Sequence, residues 1–178
     1  MLNQFKNLSC YEEFEIQCAL TCISKIDVLK EIGHKIDNYY FFVSNDGIFN
    51  WFDFNGNHVK DPGVLKELKT EHIPKTITKC VIPNSIAHID VDAFYDCESL
   101  KEAIIPNSVT NIGINAFYDC KSLKEIIIPN SVISIGNYVF SFCESLEKVV
   151  FKGKTLKDIK QMVNYPFGIK DESIIKGN

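Results

Sequence analysis

The stretch from residue 83 to residue 151 is one sequence repeated three times, and this repetition limits the folds open to the chain. The copies begin at Pro83, Pro106 and Pro129 and read PNSIAHIDVDAFYDCESLKEAII, PNSVTNIGINAFYDCKSLKEIII and PNSVISIGNYVFSFCESLEKVVF, a period of 23 residues. Eight positions are identical in all three copies. A fixed period of this length is typical of a solenoid, in which one small unit stacks on copies of itself.

A single copy cannot fold alone. Burying an apolar side chain contributes about 1.5–3 kcal/mol, whereas ordering each backbone residue costs about 1–2 kcal/mol. The run L-x-x-I-x-I predicts a short strand that ends at the next proline, and Pro-Asn-Ser predicts a turn. Ala116, Phe117 and Cys120 have helical spacing, which predicts a single turn of helix or 3₁₀ helix in each repeat. The predicted inward sites of the second copy are Val109, Ile112, Phe117, Cys120, Leu123, Ile126 and Ile128.

The strand text L-x-x-I-x-I, followed by P-x-S-V-x-x-I-G-x-x-A-F-x-x-C, resembles the leucine-rich repeats of the BspA-like class. The resemblance covers about residues 74–151, with a C-terminal cap extending to 178. One departure is that Ser85, Ser108 and Ser131 stand where the general leucine-rich pattern has Asn or Cys. The resemblance implies an interaction module of a kind often found on cell surfaces, and a fold does not name a partner.

Residues 1–70 do not follow the repeat, and their pattern predicts a helix against a small antiparallel sheet. Ser9 and Glu12 form a capping box, and apolar residues recur every fourth position to Ile26, so we expect a helix over residues 10–24. A second helical piece is expected over residues 28–34. Strands are expected at residues 39–43, 48–54 and 58–59, joined by turns rich in Asn and Gly.

We therefore predict an α+β fold made of a leucine-rich-repeat solenoid with 23-residue repeats and a cap at each end. Residues 1–70 form the N-terminal α/β cap, residues 71–151 the repeats and residues 152–178 the C-terminal cap. Residues 64–68 are expected to form a short helix or turn, and residues 77–82 the first rung. In the C-terminal cap, Thr155 and Asp158 predict a helix start, and residues 173–176 a final strand.

The sequence offers little for catalysis or metal binding. Cys97, Cys120 and Cys143 fall at one inward repeat site and are expected to be buried thiols. Cys18 and Cys22 could join His34 at a metal, but without a Cys-x-x-Cys pair we expect no metal site. Asp53-x-Asn55-x-Asn57 lacks the glycine and glutamate positions of a calcium loop, so a polar hairpin turn is expected. No phosphate-binding loop or nucleophile motif is present, and we expect no enzymatic activity and no cofactor.

Charge and targeting signals point to a protein partner inside the cell. All 19 cationic residues are lysines, and the lack of arginine, the favoured reader of phosphates and base edges, argues against specific nucleic-acid binding. Glu12, Glu13 and Glu15 interrupt the apolar run that a signal peptide needs. We expect a cytoplasmic location and no membrane association, with an extracellular surface location only if a leader has been removed.

The outward-facing side of the solenoid strands is the predicted binding site. The x positions of each strand face outward on the concave sheet, where an aliphatic stripe runs beside a lane of lysine and glutamate. The stripe and lane resemble a protein-binding patch, although ordinary strand propensity with solvated charges explains them as well. Trp51, in an aromatic-rich stretch of the cap, is expected as a further partner contact. The predicted partner-binding residues are Val81, Lys101, Glu102, Ile104, Lys124, Glu125, Ile127, Glu147, Lys148, Val150 and Trp51.

These observations favour a non-enzymatic protein-protein interaction module that binds through the concave repeat face and the aromatic cap. One alternative is an intracellular inhibitor of a host or defence enzyme, such as a phage-encoded antagonist of a CRISPR nuclease. A second alternative is a cell-surface adhesin. A third is an enzyme housed in residues 1–70, which would need a pocket lined by the aromatic residues and His34 or His58.

Overall fold

The N-terminal part of the structure is a helix packed on a four-stranded antiparallel sheet. The computed structural model describes residues 13–15, 17–18 and 24–178, and residues 13–15 and 17–18 are helical as predicted. The predicted capping residues Ser9 and Glu12, and with them Cys10 and Cys22, lie outside the described residues. Helix α1 spans Lys25–Ile32. The sheet has the order β1-β2-β3-β4 and contains β1 (His34–Ile36), β2 (Tyr39–Val43), β3 (Phe49–Asp53) and β4 (His58–Val59).

The ends of α1 differ from the predicted helix over residues 28–34. Ser24 is the N-cap, and its Oγ accepts the Asp27 N–H at 3.3 Å. At the other end the N–H of Gly33 donates to the Leu29 carbonyl at 2.9 Å. A Cβ on Gly33 would lie 2.7 Å from that oxygen, so the chain turns here without a side chain. His34 consequently leaves the helix and begins β1.

The Asp53-x-Asn55-x-Asn57 motif is the polar hairpin turn that we predicted. An Asp53 carboxylate oxygen accepts the backbone N–H groups of Asn55 and Asn57 at 2.8 and 2.9 Å. The Asn57 side chain also donates to the Asp53 carboxylate, and this bond, together with the two backbone bonds, lowers the pKa of Asp53. The carboxylate is therefore engaged in holding the turn between β3 and β4.

Aromatic residues of β2 and β3 alternate between the two faces of the sheet, and both faces are covered. Phe42 and Phe52 pack against Phe14, with ring centroids 5.1 and 5.2 Å away, and against α1. On the other face Phe41 and Trp51 stack at 4.8 Å and belong to the core of the repeats. Trp51 is only 1% exposed. The expectation that Trp51 contacts a partner is therefore corrected, because its ring is enclosed between the sheet and the solenoid.

The repeats form a solenoid whose parallel strands make two ladders, which confirms the predicted architecture. The first ladder contains β6 (Lys79–Val81), β8 (Glu102–Ile104), β10 (Glu125–Ile128), β12 (Lys148–Phe151) and β13 (Ile175–Gly177). The second ladder contains β5 (Glu67–Leu68), β7 (His88–Ile89), β9 (Asn111–Ile112) and β11 (Ser134–Ile135). The short helix or turn predicted over residues 64–68 is wrong. Those residues include β5, which pairs with β7, because the next coil offers them a parallel edge.

The solenoid core is built from equivalent residues piled on one another. The ring centroids of Phe94 and Phe117 lie 4.8 Å apart, and those of Phe117 and Phe140 5.9 Å apart, in stacked orientation. Leu100 and Leu123 are both fully buried. These contacts confirm that successive coils share one apolar interior.

The repeated cysteines point inward, as predicted. The Cys120 thiol donates to the Phe94 carbonyl at 3.3 Å, and the Cys143 thiol donates to the Phe117 carbonyl at 3.0 Å. Burial raises the pKa of Cys97 to about 11 and the pKa of Cys143 to about 12. Since the thiolate is the nucleophile and the metal ligand, these thiols are packing residues.

The loop that leads from the second ladder back to the first is a series of tight turns and not the predicted helical turn. In the second copy Asn115 and Asp119 have φ angles of 53° and 59°. Residues in this left-handed region interrupt a right-handed helix. The segment instead closes with separate bonds between residues three apart, such as the Tyr118 N–H to the Asn115 carbonyl at 2.9 Å.

Both ends of the repeat array are covered. The Thr78 N–H donates to the Asn45 carbonyl at 3.2 Å and the Val81 N–H to the Gly47 carbonyl at 3.3 Å, so the turn between β2 and β3 covers the edge of β6. At the C-terminal end helix α2 (Leu156–Lys160) starts with the predicted Thr155–Asp158 capping box. The predicted final strand is β13, which pairs with β12. Within the described part of the chain no helix has both the length and the apolar character needed to cross a membrane.

Candidate protein-binding face

The outward side chains of the first ladder form one surface, which we call the strand face. Val81, Ile104 and Ile127 occupy equivalent positions on β6, β8 and β10 and are 38%, 43% and 43% exposed. A contiguous exposed apolar patch is one feature of interaction sites in general. The strand face consists of Lys79, Val81, Lys101, Glu102, Ile104, Lys124, Glu125, Ile127, Glu147 and Lys148, all of them outward on the first ladder.

Val150 was expected to extend the aliphatic stripe, but it is only 8% exposed. Its strand β12 has neighbours on both edges, and Val150 lies in register between Ile127 of β10 and Lys176 of β13. The exposed stripe therefore ends at Ile127.

The charged lane of the strand face is partly paired. Lys79 lies 2.9 Å from Glu102, and Lys148 lies 2.8 Å from Glu125. These side chains are about half exposed, so each pair contributes roughly 0–1 kcal/mol to stability. The value of the pairs is that they hold four charged groups in fixed positions beside the stripe.

A groove lies on the strand face between β8 and β10. It has a volume of about 570 Å³, and Ala103 and Ile105 contribute to its lining along with outward residues of both strands. Its lining also includes Lys101 and Ile104 from the copy that carries β8, and Lys124 and Ile127 from the copy that carries β10. The predicted strand residues are thus brought together around one concave feature.

A second cavity lies where the N-terminal sheet meets the repeats. It has a volume of about 540 Å³ and includes His34, Phe41 and His72 among its lining residues. The imidazoles of His34 and His72 are 5.1 Å apart, edge to face. Burial lowers the pKa of both rings, that of His72 to about 4. Besides the two histidines, the residues that line the cavity include Lys35, Lys66, Glu67 and Glu71.

Two surface clusters were not singled out by the sequence analysis. The carboxylates of Asp96, Glu98 and Asp119 come within 4.8 Å of one another. Lys121 already binds this cluster, contacting Glu98 and lying 3.4 Å from Asp119. The cluster is therefore a local ion-pair network, and its members could have been found from the repeat because they are equivalent or near-equivalent positions of adjacent copies.

The second cluster is an outer aromatic row. Tyr95 and Tyr118 stack at 5.0 Å, and Phe142 follows at 5.1 Å. The ammonium groups of Lys75 and Lys170 lie over the rings at the two ends, 5.9 and 5.8 Å from the centroids. The rings at the two ends of the row thus make cation–π contacts with lysines of the same chain.

Solved structures with the same fold are bacterial leucine-rich repeat proteins. A leucine-rich repeat protein from Bacteroides capillosus is 24% identical with a TM-score of 0.50, and the match covers 68% of this chain and 99% of that one. A leucine rich cell surface protein from Faecalibacterium prausnitzii is 21% identical with a TM-score of 0.53, over 83% of this chain but only 40% of that one. At these identities the likeness shows the fold alone. No curated protein matches the chain.

The family comparison agrees with the repeats. The family model for the BspA type leucine rich repeat region matches residues 73–174, more than half of the chain, in six copies. The match includes the C-terminal part that carries β13. Proteins with this repeat are interaction or binding modules and are typically non-enzymatic. The chain described here belongs to the BspA-type leucine-rich repeat family.

Proposed function

We propose that this chain is a non-enzymatic module that binds another protein through the strand face. The observation that carries the proposal is the row of exposed aliphatic side chains at Val81, Ile104 and Ile127, flanked by charges held in ion pairs. Interfaces combine an apolar centre with a polar rim in this way. Because the side chains stand on paired strands, little conformational entropy is lost when a partner docks.

The buried position of Trp51 narrows the proposed site. Most aromatic residues of the cap belong to two cores, although Phe54 is 45% exposed, and the turn between β2 and β3 covers the edge of β6. The proposal accordingly places the partner on the repeats.

A double substitution tests this placement. The chain, carrying an affinity tag, is used to capture its partner from the native cell, and the affinity of the purified pair is then measured by calorimetry. Ile104→Glu with Ile127→Glu puts two carboxylates into the apolar row and should weaken binding at least about tenfold, or 1.4 kcal/mol.

The matched control uses the second ladder. Val91 and Ile114 are also one repeat apart and are 47% and 44% exposed, but they lie beside the other sheet. Val91→Glu with Ile114→Glu should leave the affinity within about threefold. Equal binding by the folded Ile104/Ile127 variant and the wild type would refute the strand face as the binding site.

Location separates two versions of this function. We propose the cytoplasmic version, in which the partner is an intracellular protein and could be an enzyme that the module inhibits. The description of the Faecalibacterium prausnitzii neighbour as a cell surface protein supports the other version, a surface binding protein. Fractionation of native cells decides between them, since recovery of the chain at the cell surface contradicts the cytoplasmic version.

A further inference from the structure

The first ladder is interrupted at one place, between β8 and β10. β6 pairs with β8, and β10 pairs with β12, but β8 and β10 belong to separate sheets. On the other side of the same coils the second ladder continues without a break, since β7 pairs with β9 and β9 with β11. The interruption is therefore local to the strand face and does not reflect a break in the solenoid.

Charge explains where the ladder opens. Where the strands pair, opposite charges lie in register: Lys79 beside Glu102, and Glu125 beside Lys148. The same 23-residue offset across the opening places Lys101 beside Lys124, and Glu102 beside Glu125, because the two copies read KEAII and KEIII. Like charges directly opposite one another destabilise strand pairing. Both glutamates turn away from the opening to ion pairs on the far sides of their strands.

Side-chain volume adds to the opening. Ala103 stands at the inward site that Ile126 occupies in the next copy. The smaller side chain leaves space beneath the surface, and Ala103 lines the groove of about 570 Å³. A volume of this size accommodates one or two side chains of a ligand.

The charged side chains at the groove that lack an ion pair are positive. Glu102 and Glu125 are neutralised by Lys79 and Lys148, whereas Lys101 and Lys124 form no ion pair with any residue that the structure describes. Both of these lysines line the groove and both are exposed. These two lysines therefore line the same slot as Ile104 and Ile127.

We infer that the groove between β8 and β10 receives an extended acidic segment of the protein partner. One carboxylate side chain of that segment lies between Lys101 and Lys124, and a neighbouring aliphatic side chain packs against Ile104 and Ile127. This inference rests on the proposed function and names the chemistry of its partner. A nucleic acid fits less well, because the slot is edged by aliphatic side chains and only two cations are unpaired.

Matched synthetic peptides supply the test. Fluorescence anisotropy is measured with three series of 12-residue peptides that share the same aliphatic residues. The first series carries Asp and Glu, the second has Asn and Gln in their place, and the third has Lys. A single-stranded oligothymidine serves as the polyanion probe. The acidic series should bind most tightly and should weaken as salt increases.

Charge reversal in the chain identifies the site. Lys101→Glu with Lys124→Glu should weaken binding of the acidic series at least about tenfold and make the Lys series the preferred one. The control Lys157→Glu with Lys160→Glu makes the same change in net charge on exposed residues of α2. It should leave the preference unchanged.

The possible outcomes separate the inference from the proposed function. The inference is overturned if no acidic peptide binds, if the Asn/Gln series binds equally well, or if the oligothymidine binds more tightly than the acidic peptides. If the Ile104/Ile127 variant loses the native partner while the Lys101/Lys124 variant keeps it, the strand face stands and the acidic segment is wrong. If both variants keep the partner, both proposals are wrong.

Discussion

At the scale of single residues, the pair His34 and His72 links the stability of the structure to pH. His72 is 8% exposed, and its Nδ1 accepts the Lys69 N–H at 3.2 Å. Its ring also lies 5.2 Å from that of Phe41, in the core shared by cap and repeats. Protonation of His72 would put a proton on the atom that accepts this bond and a charge into an apolar contact. The fold therefore favours the neutral ring.

This preference predicts how stability depends on pH. Burial lowers the pKa of His72 to about 4, while an unfolded histidine titrates at about 6.5. The unfolded chain therefore takes up the proton first. The contribution of His72 is complete above about pH 6.5 and is lost as the pH falls towards 4, amounting to about 2 kcal/mol between pH 7 and pH 5.

Urea denaturation at pH 7, 6 and 5 measures this loss. His72→Gln should remove most of the difference between pH 7 and pH 5. The control His88→Gln removes an exposed imidazole on β7 and should retain the difference. A His72→Gln variant with the same pH dependence as the wild type would show that the neutral ring is not the cause.

Residue-scale predictions from the sequence succeed where the repeat supplies them. Equivalence by 23 residues places Phe117 and Leu123 correctly in the core. The predictions that Trp51 and Val150 are exposed to a partner are wrong, since alternation tells which face of a strand a side chain occupies but not what covers that face. Trp51 is covered by the repeats and Val150 lies next to β13, and both neighbours are distant in sequence.

At the scale of elements, the turn between β2 and β3 is the joint between the cap and the repeats. Gly47 has a φ of 81°, and a Cβ on it would lie 1.9 Å from the Lys79 carbonyl oxygen. The joint thus depends on a close backbone approach that only glycine permits. The N–H of Val81 donates to the Gly47 carbonyl at this point, so displacement of the turn also breaks a bond to β6.

Two glycine substitutions separate the close approach from backbone strain. Gly63 has a φ of 71°, and a Cβ on it would meet nothing within 4 Å. Gly63→Ala should cost about 1–2 kcal/mol, the ordinary penalty of the left-handed region. Gly47→Ala should cost at least about 2 kcal/mol more, because the clash with β6 adds to the same penalty. Equal losses of stability for the two variants in thermal denaturation would contradict the proposed role of the close approach between Gly47 and β6.

The element boundaries show why some of the fold could not be predicted from the sequence. The repeat period predicts the strands of the first ladder, and capping residues predict α2. The strand β5 was missed because two residues pair only when the next coil is in place. The sequence contains the like charges behind the interruption between β8 and β10, since KEAII is followed by KEIII. That the two strands do not pair is seen only in the structure.

At the scale of the whole molecule, cap and repeats share one apolar core. Phe41 and Trp51 of the sheet belong to the same cluster as the stacked residues of every repeat. Repeat arrays often unfold piecewise, since each unit contacts only its neighbours. Here a continuous core across the joint favours a single cooperative transition, which keeps the strand face rigid up to the point of unfolding.

The single tryptophan of the chain reports on this cooperativity. Trp51 is the only Trp, and it lies at the joint. Its fluorescence and the far-UV circular dichroism of the strands should change with the same midpoint in urea. A tryptophan transition at lower urea than the loss of strand signal would mean that the cap unfolds separately from the repeats.

The strand face is the surface that we propose a partner covers. The most direct measurement is methyl NMR of the chain with isoleucine δ1 methyl groups labelled, free and bound to its captured partner. We predict that the signals of Ile104 and Ile127 shift or broaden on binding, while those of Ile114 and Ile133, which are 44% and 74% exposed, keep their positions. Perturbed signals of Ile114 and Ile133, with unchanged signals of Ile104 and Ile127, would contradict the strand face as the binding site.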